Sequence, residues 1–368
     1  MIAISSILRR AVYPAMSRAG VFSRRVQAGE VCVLTYHGVL PERSATGASP
    51  TEGTLVPAEL FRRQLRFLKS HYELITPEAF RGRWNDGASL PERAVLITCD
   101  DGLLNVLTDM VPILLEEGAR CLFLVTGASL EDAPASLWYE ELYRMLDDAP
   151  GDAMVTIGAE RFRKDSVARK DIGRYWWDLV HELSKLGGDE RSTALDTLRS
   201  QWRLPKEWRM YDPADARAER RHRLLNRTEL RQLVTQGMTV GAHTMSHPML
   251  AQMPPELAER EIQECRAGLE SYLQREVWAL AYPFGHEGSA GAREMRMAAE
   301  AGYTCAFLNH GGGVSQGTSP RFGLPRAHVT AGMNLPELEA NLTGFHQRLQ
   351  RWNGADGKQD EMSARRGV

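Results

Sequence analysis

One stretch constrains the fold more than any other: the apolar run from Ala94 to Cys99, which ends in Asp100, Asp101 and Gly102. Its β-branched residues are typical of a buried strand. The glycine allows the backbone to turn at once into a following helix. Acidic side chains at the end of a buried strand are costly unless a cation or a hydrogen-bonding network meets them. The two carboxylates therefore indicate a site.

Apolar runs and amphipathic stretches alternate along the chain. Strands are predicted at 31–36, 94–99, 121–125, 238–242, 277–282, 304–308 and 324–329. Helices are predicted at 57–72, 77–84, 103–117, 226–236, 254–273, 292–301 and 335–352, with a kink or a broken start at Pro112. In the helix at 254–273, Glu261 is predicted to be exposed. Strand and helix in alternation indicate parallel βαβ units and an α/β fold.

The alternation stops between residues 131 and 225, where the chain is polar and carries five of its eight tryptophans. We predict a helical insertion there, which leaves 30–130 and 226–352 as the parts of one domain. The tryptophans are expected to pack the insertion onto that domain, and the alternative is that they stack on sugar rings. The polar residues 353–368 are predicted to be a disordered tail.

Composition excludes several classes of protein. The net charge of -2 argues against a general nucleic-acid binder, which carries a basic surplus. The five cysteines are scattered without a CxxC pair, which indicates free thiols in a reducing compartment. No run reaches the roughly 18 apolar residues of a membrane-spanning helix. We therefore expect a cytoplasmic protein, and the oligomeric state stays open.

The first 29 residues form a basic leader that contains five arginines and no acid. Arg9 and Arg10 interrupt its apolar residues, so it lacks the continuous apolar core of a secretory signal. Two interpretations of this leader stay open. Residues 1–26 form an amphipathic helix that holds the protein at the inner face of an anionic membrane, or the leader is floppy or packs locally.

A second motif follows the predicted strand at 238–242, where His243 and His247 are separated by three residues. In parallel α/β folds functional groups collect at the carboxyl ends of strands. Side chains at or just after such ends are His37, Asp100, Asp101, His243, His247, Tyr282 and His328. Two imidazoles and one carboxylate suit a divalent cation that keeps positions open for water and substrate.

Two neighbouring carboxylates can have different roles at such a site. One binds the metal, and the other stays free as a general base that takes a proton from a water on the metal. This combination suits hydrolysis of an amide or ester through a tetrahedral intermediate. The backbone N–H of Tyr282 is our candidate donor to the oxyanion.

These motifs resemble those of the polysaccharide deacetylases, carbohydrate esterase family four, also called the NodB-homology group. Thr98 to Gly102 is similar to the motif Thr-Phe-Asp-Asp-Gly, and His243 to His247 is similar to His-Ser/Thr-x-x-His. Ala281 to Gly285 resembles the third motif, Arg-x-Pro-x-Gly/Tyr. The resemblance runs from about Val31 to Val329, interrupted by the predicted helical insertion, and implies a deformed TIM-like (β/α) barrel.

The resemblance also implies roles for individual residues. It makes Asp100 the general base, and Asp101, His243 and His247 the ligands of a divalent metal. Zinc is the first choice for that metal, with cobalt, nickel and manganese as alternatives. Tyr282 supplies the oxyanion N–H.

The chain departs from the family in its later motifs. Ala281 stands where the third motif has an arginine that orients the base, and Arg326 is our candidate replacement. The fourth motif is not recognisable, and the fifth is approximated only by Leu324 to His328. For the general acid, His328 is the first choice and His37 the second, with His310 as a third candidate.

The implied activity is removal of N-acetyl groups from an N-acetylhexosamine polysaccharide or a lipid-linked glycan. A carbohydrate-binding protein without catalysis on the same barrel is the main alternative, given the missing arginine. A non-haem iron oxygenase also uses two histidines and a carboxylate, but its His-x-Asp arrangement is absent here.

Overall fold

The computed structural model describes residues 8–22, 30–41, 52–157, 160–168, 171–286, 288–310, 313–315 and 319–345. The strands in these ranges are β1 (Glu30–Tyr36), β2 (Val39–Leu40), β3 (Val56–Pro57), β4 (Glu73–Leu74), β5 (Ala94–Cys99), β6 (Leu122–Val125), β7 (Met154–Ile157), β8 (Glu160–Arg163), β9 (Thr239–Ala242), β10 (Ala279–Ala281), β11 (Cys305–Phe307), β12 (Val314–Ser315) and β13 (Ala327–His328). The predicted tail at 353–368 and the end of the last predicted helix lie outside the described residues.

The α-helices in the same ranges are α1 (Tyr13–Arg18), α2 (Ala58–His71), α3 (Pro77–Asp86), α4 (Val111–Glu116), α5 (Trp138–Asp148), α6 (Ile172–Leu183), α7 (Gly188–Gln201), α8 (Ala216–His222), α9 (Arg227–Thr235), α10 (Pro255–Leu273), α11 (Ala292–Glu300) and α12 (Leu335–Leu342). Two of them begin with a π-helical turn. Leu8–Val12 precedes α1, and Val106–Met110 precedes α4.

The main sheet is mostly parallel and curls into a barrel, as predicted. Its strands follow the order β11-β10-β9-β6-β5-β1-β12, in which β12 pairs antiparallel to β1, and β13 pairs parallel to β1. The segment that leads into β13 also contacts the other end of the sheet, because Leu308 N donates to Leu324 O at 2.9 Å. The two ends of the curled sheet therefore meet at residues 324–328.

Alternation along the strands divides the apolar side chains between two faces. Val33, Leu96 and Leu124 belong to a cluster inside the barrel, into which Phe80 of α3 packs. Leu34 and Ile97, the next residues along, belong to the larger cluster between the sheet and its helices. Because side chains alternate with a period of two, the same register turns Thr98 and Asp100 toward the mouth of the barrel.

At Pro112 the structure has a π-helical turn directly before α4, and the helix is not broken. Proline has no N–H to donate, and its ring crowds the carbonyl one turn earlier. The chain accommodates this with the wide turn Val106–Met110, immediately before α4. A widened turn of this kind keeps the helix continuous while it bends.

The segment predicted as an insertion contains α5, α6, α7 and α8, and also the antiparallel hairpin β7–β8. The hairpin was not predicted from the sequence. The two ends of the segment meet in an antiparallel bridge between Ser136 and Arg223. Trp176, Trp177 and Trp202 are buried in a cluster that includes Leu103 and Met249 of the barrel. These tryptophans therefore pack the insertion onto the barrel.

The described part of the leader packs onto the barrel as well. Tyr13 and Phe22 are buried against Ala340 of α12. Arg9 forms an ion pair with Glu337, with 2.6 Å between Nε and Oε2. The described contacts of Tyr13, Phe22 and Arg9 therefore lie within the protein, and attachment of the leader to a membrane stays a prediction.

Candidate active site

The carboxyl ends of five barrel strands bring the predicted site residues together. Asp100 and Asp101 follow β5, and His243 follows β9. His37 follows β1, Tyr282 follows β10, and His328 ends β13. The end-of-strand rule thus places residues from distant parts of the sequence around one barrel mouth.

Asp101, His243 and His247 form a buried cluster. Oδ1 of Asp101 lies 3.4 Å from Nε2 of His243 and 3.3 Å from Nε2 of His247. One candidate ligand atom from each residue lies within 4.8 Å of the others. Burial opposes the charge on Asp101, but the two imidazoles hold the pKa of this carboxyl well below its ordinary value.

The donor set fits a divalent cation. Nδ1 of His243 donates to the carbonyl of Ala281 at 2.8 Å, which leaves Nε2 of a neutral ring with its lone pair toward Asp101. A lone pair and a carboxylate oxygen face each other favourably only when a proton or a metal lies between them. Around a tetrahedral ion with bonds of about 2.1 Å the ligand atoms are about 3.4 Å apart. The observed separations match that spacing.

The carboxylate of Asp100 pairs with Arg326. The guanidinium donates from Nη1 to Oδ1 at 2.8 Å and from Nη2 to Oδ2 at 2.5 Å. It also donates to Thr98 Oγ1 at 3.0 Å and to the carbonyl of Leu308 at 2.9 Å. Burial disfavours the ionised carboxyl, but Arg326 holds the pKa of Asp100 below its ordinary value. The structure thus places Arg326, our candidate for the missing arginine, directly against Asp100.

The backbone around the cluster is strained. Asp101, Thr244, His247 and Phe284 have φ values of +73°, +65°, +56° and +62°. This left-handed region is uncommon for residues other than glycine, and such residues gather at functional sites. Strain of this kind persists only where the surrounding contacts fix the backbone.

The insertion supplies some of those contacts. We call residues 243–249 the ligand loop. Nε1 of Trp138 in α5 donates to the carbonyl of His247 at 2.9 Å, and Nη1 of Arg191 in α7 donates to the carbonyl of Ser246 at 2.9 Å. Ser184 accepts a hydrogen bond from the N–H of Met249 at 3.2 Å. Three insertion residues therefore hold the ligand loop in place.

Glu261 holds the ligand loop from the opposite side. Its carboxylate accepts a hydrogen bond from Ser246 N at 2.8 Å and another from Ser246 Oγ. Glu261 was predicted to be exposed, and this prediction is wrong: the residue is only 7% exposed. Helical spacing cannot reveal a buried acid whose donors come from a loop, because that loop approaches only in the folded protein.

The structure does not support Tyr282 as the oxyanion donor. Its N–H donates to the carbonyl of Phe307 at 3.0 Å, as part of the pairing between β10 and β11. Its ring is buried, and its hydroxyl donates to the carbonyl of Phe322 at 2.9 Å. Two residues on, the ring of Phe284 lies 4.9 Å from that of His247. Among the described residues no acceptor is found for the Phe284 N–H.

The candidates for the general acid fall into two groups. The rings of His37 and His328 lie 4.9 Å apart, edge to face, and each has one buried nitrogen that lacks a partner among the described residues. Burial, and then the neighbouring His37, lower the pKa of His328 to about 3. His310 lies elsewhere, just beyond Asn309, whose N–H donates to Gly285.

Comparison with known proteins identifies the family that this chain resembles. The family model described as polysaccharide deacetylase matches residues 213–306, which include the ligand loop. The predicted resemblance to polysaccharide deacetylases is confirmed. Among curated proteins, no sequence match was found.

Solved structures of deacetylases share the fold. The deacetylase PplD of Streptococcus pyogenes, solved in complex with acetate, is 17% identical; the alignment covers 86% of this chain and 99% of PplD, with a TM-score of 0.53. IcaB of Ammonifex degensii is also 17% identical, with 85% of this chain and 97% of IcaB covered and a TM-score of 0.51. The predicted α/β barrel is therefore confirmed. In the described residues no helix is both long and apolar enough to span a bilayer.

Proposed function

We propose that this protein is a metal-dependent hydrolase that removes N-acetyl groups from an N-acetylhexosamine polysaccharide or a lipid-linked glycan. One observation carries the proposal. A three-ligand cluster of Asp101, His243 and His247 lies beside a second carboxylate, Asp100, which Arg326 holds apart from it. The similarity to polysaccharide deacetylases supports the same activity.

Asp101, His243 and His247 would hold the cation. When bound, a divalent ion polarises a carbonyl oxygen and makes water more acidic. Zinc suits one carboxylate and two imidazoles, and cobalt, nickel and manganese are the alternatives. Trp138, Arg191 and Glu261 would fix the orientation of the ligand loop, because they hold its carbonyl, amide and hydroxyl groups.

Asp100 would be the general base. Its bidentate ion pair with Arg326 keeps it ionised and fixes the plane of its carboxylate. A carboxylate that stays off the metal can accept a proton from the attacking water. Arg326 would be a positioning residue, because it acts on the substrate only through Asp100.

The N–H of Phe284 would stabilise the oxyanion in place of Tyr282. It lies in the turn that packs against His247, and among the described residues it has no acceptor. Gly285 helps to hold this turn with φ +64°, where a Cβ would meet the main-chain nitrogen of Asn309. A fixed amide beside the reacting carbonyl stabilises charge as it develops.

The pair His37 and His328 would supply the proton to the leaving amine. Both rings lie at the barrel mouth, and the charges of Asp100 and Asp101 act on His328. The low pKa of His328 keeps that ring neutral in the resting site, so it would have to receive the proton that Asp100 has taken from water before passing it to the amine. We expect substitution of either ring to slow the release of the amine.

The decisive experiment measures acetate released from N-acetylated oligosaccharides and lipid-linked sugars, with zinc, cobalt, nickel and manganese in turn. We expect release with at least one of these metals, and its loss by at least about 10²-fold in Asp100→Asn with metal content unchanged. Equal activity of Asp100→Asn and the parent would contradict the proposal. Oxygen consumption by the metal-loaded protein would instead indicate an oxygenase.

The location in the cell is part of the proposal. The described structure contains all five cysteines as buried free thiols, which supports a reducing compartment such as the cytoplasm. Peripheral attachment to the inner membrane through residues 1–26 would have to use groups other than Tyr13 and Phe22, which are buried. Co-sedimentation of the protein with anionic vesicles would test it.

A further inference from the structure

The insertion brings one tyrosine side chain directly against the ligand loop. Tyr139 lies in the first turn of α5, and its ring centroid is 4.9 Å from that of His247 and 5.3 Å from that of Phe284. His247 is a candidate metal ligand, and Phe284 carries the N–H that is our oxyanion donor. Tyr139 therefore reaches the part of the barrel mouth where the reacting carbonyl would lie.

Two hydrogen bonds fix this segment of the insertion. The carbonyl of Tyr139 accepts a hydrogen bond from Nε1 of Trp176 at 2.7 Å. The preceding residue, Trp138, donates from Nε1 to the carbonyl of His247 at 2.9 Å. Because the main chain is held on both sides, the Tyr139 side chain is oriented before a substrate arrives. A hydrogen-bond donor that acts in catalysis has to be oriented in advance in this way.

The hydroxyl of Tyr139 differs from the polar atoms of its neighbours. Trp138 and Trp176 each use the indole N–H in a hydrogen bond, but the Tyr139 hydroxyl makes none among the described residues. It is not one of the fully buried polar atoms, and the residue as a whole is 6% exposed. A phenylalanine would pack equally well against both rings. The hydroxyl is thus open to a group that enters the barrel mouth.

This hydroxyl is suited to donating a hydrogen bond. A phenol has an ordinary pKa of about 10, so it keeps its proton at neutral pH. Burial, and then the charge of Asp101, raise the pKa of Tyr139 well above that value. A hydrogen bond to a charged oxygen is stronger than one to a neutral carbonyl. The same donor would therefore stabilise the transition state more than the bound substrate.

We propose that Tyr139 is a further catalytic residue, whose hydroxyl donates a hydrogen bond to the oxyanion formed from the N-acetyl carbonyl. It would act beside the N–H of Phe284, whose ring it contacts. This inference rests on the proposed function. It means that the insertion supplies part of the catalytic machinery, in addition to holding the ligand loop.

The step that Tyr139 assists is the attack of water on the carbonyl carbon. The water oxygen bonds to that carbon, and the π electrons of the C=O bond move onto the carbonyl oxygen. The proton of the water passes to Asp100. Tyr139 keeps its own proton and shares it only in a hydrogen bond, so the C–N bond breaks later with a proton from another group.

A role for Tyr139 as the general acid fits the structure less well. Transfer of its proton to the leaving amine would leave a phenolate beside Asp101. Burial and the charge of Asp101 both oppose that phenolate. The two roles differ in their effect on the pH profile, since only a proton donor contributes a limb to it.

Tyr139→Phe removes the hydroxyl alone, because it keeps the ring that contacts His247 and Phe284. In the full-length, metal-loaded protein we expect kcat for acetate release to fall about 10²-fold, while KM changes less than about two-fold. The pH profile of kcat should keep its shape. Metal content and the free energy of unfolding should match those of the parent.

Binding of a tetrahedral analogue gives a second readout that needs no turnover. The probe is the tetrasaccharide of N-acetylglucosamine in which one acetyl group is replaced by a methylphosphonyl group, whose negative oxygens mimic the oxyanion. Tyr139→Phe should raise the Kd of this probe about as much as it lowers kcat. The Kd of the unmodified tetrasaccharide, measured in the Asp100→Asn background, should change less than about two-fold.

Tyr175→Phe is the matched control. Tyr175 lies in α6 of the same insertion, where its ring centroid is 4.4 Å from that of Phe162. The same loss of a hydroxyl at this position should change neither kcat nor the Kd of the probe.

The outcomes separate this inference from the proposed function. Equal kcat for the parent and Tyr139→Phe, or a raised KM with kcat unchanged, would overturn the oxyanion role while acetate release stands. Loss of one limb of the pH profile in Tyr139→Phe would assign the residue to proton transfer and overturn that role as well. Weaker binding of the probe by Tyr139→Phe, in a protein that releases no acetate, would support the hydroxyl as a donor and contradict the hydrolase.

Discussion

The guanidinium of Arg326 donates two hydrogen bonds to the carboxylate of Asp100, from Nη1 to Oδ1 at 2.8 Å and from Nη2 to Oδ2 at 2.5 Å. The polysaccharide deacetylases that this chain resembles carry their arginine in the third motif, where Ala281 stands here. Ala281 ends β10 and Arg326 immediately precedes β13, yet both strands reach the same barrel mouth. A positively charged side chain at either position can therefore reach the Asp100 carboxylate.

Arg326→Lys should lower kcat by at least about ten-fold, because a lysine cannot make the two parallel hydrogen bonds that fix the Asp100 carboxylate. Lysine keeps a positive charge but loses one of the two hydrogen bonds that favour the ionised carboxylate, so the pKa of Asp100 should rise. The acidic limb of the pH profile of kcat should then move to higher pH.

The matched control for that prediction is Arg321→Lys. Arg321 donates to the carbonyl of Thr304 outside the site, so the variant should keep both kcat and its pH profile. A pH profile of Arg326→Lys that overlays the parent would show that the ion pair does not set the protonation of the base.

Trp138→Phe should weaken metal retention by about ten-fold or more, because it keeps the ring but removes the donor to the His247 carbonyl. Arg191→Met should do the same, since Arg191 holds the Ser246 carbonyl. Competition of the protein with a metal chelator measures the affinity directly, without any activity assay.

Arg144→Met is the control for the ligand-loop variants. Arg144 lies on the same helix as Trp138 but pairs only with Asp148 in the described contacts, at 3.1 Å. Its loss should leave metal affinity unchanged. If Trp138→Phe also retains the parent affinity, the insertion does not position the loop.

Glu229→Gln should destabilise the protein by about 1 kcal/mol at neutral pH. Burial raises the pKa of Glu229, but the ion pair with Arg223 outweighs it and holds the pKa below its ordinary 4.5. A depressed pKa contributes stability above pH 4.5, and that contribution is lost as the pH falls through the folded-state value.

Urea unfolding of the parent and of Glu229→Gln, at neutral and at acidic pH, tests the direction in which this stability contribution changes with pH. The difference in unfolding free energy between the parent and Glu229→Gln should be largest at neutral pH and should decrease below pH 4.5. Glutamine can still accept the capping hydrogen bond from Asn226 N, so the variant isolates the charge. Glu259→Gln, a change on α10 outside this ion pair, should show no such dependence; a Glu229→Gln difference that grows in acid would contradict the prediction.

Tyr13→Ala should lower the free energy of unfolding by about 3 kcal/mol, because Tyr13 is 1% exposed and packs against Ala340 and Phe345. Denaturant titration measures it. Arg10→Ala changes an exposed residue of the same segment and should cost almost nothing. Equal stability of Tyr13→Ala and the parent would mean that the leader contributes little to the fold.

The sequence predicted the elements that depend on local pattern. Apolar runs gave the strands that carry Asp100 and His243, and helical spacing gave most helices within a few residues. The predicted strands ran longer than those observed at β10, β11 and β13, because pairing partners end before the apolar runs do. The hairpin β7–β8 was missed, since Met154–Ile157 and Glu160–Arg163 are short and pair only with each other.

The sequence by itself determined the alternating strands and helices, the motifs and the identity of the groups at the strand ends, because periodicity and motif spacing are properties of neighbouring residues. The barrel was implied by the resemblance of those motifs to polysaccharide deacetylases. Only the tertiary structure decided which partner each of these groups contacts. In the folded protein Arg326 forms an ion pair with Asp100, and the backbone N–H of Tyr282 is engaged in a hydrogen bond within the sheet. Glu261 is buried and accepts hydrogen bonds from the ligand loop. These contacts join residues that are far apart along the chain, and their geometry exists only when the barrel has closed.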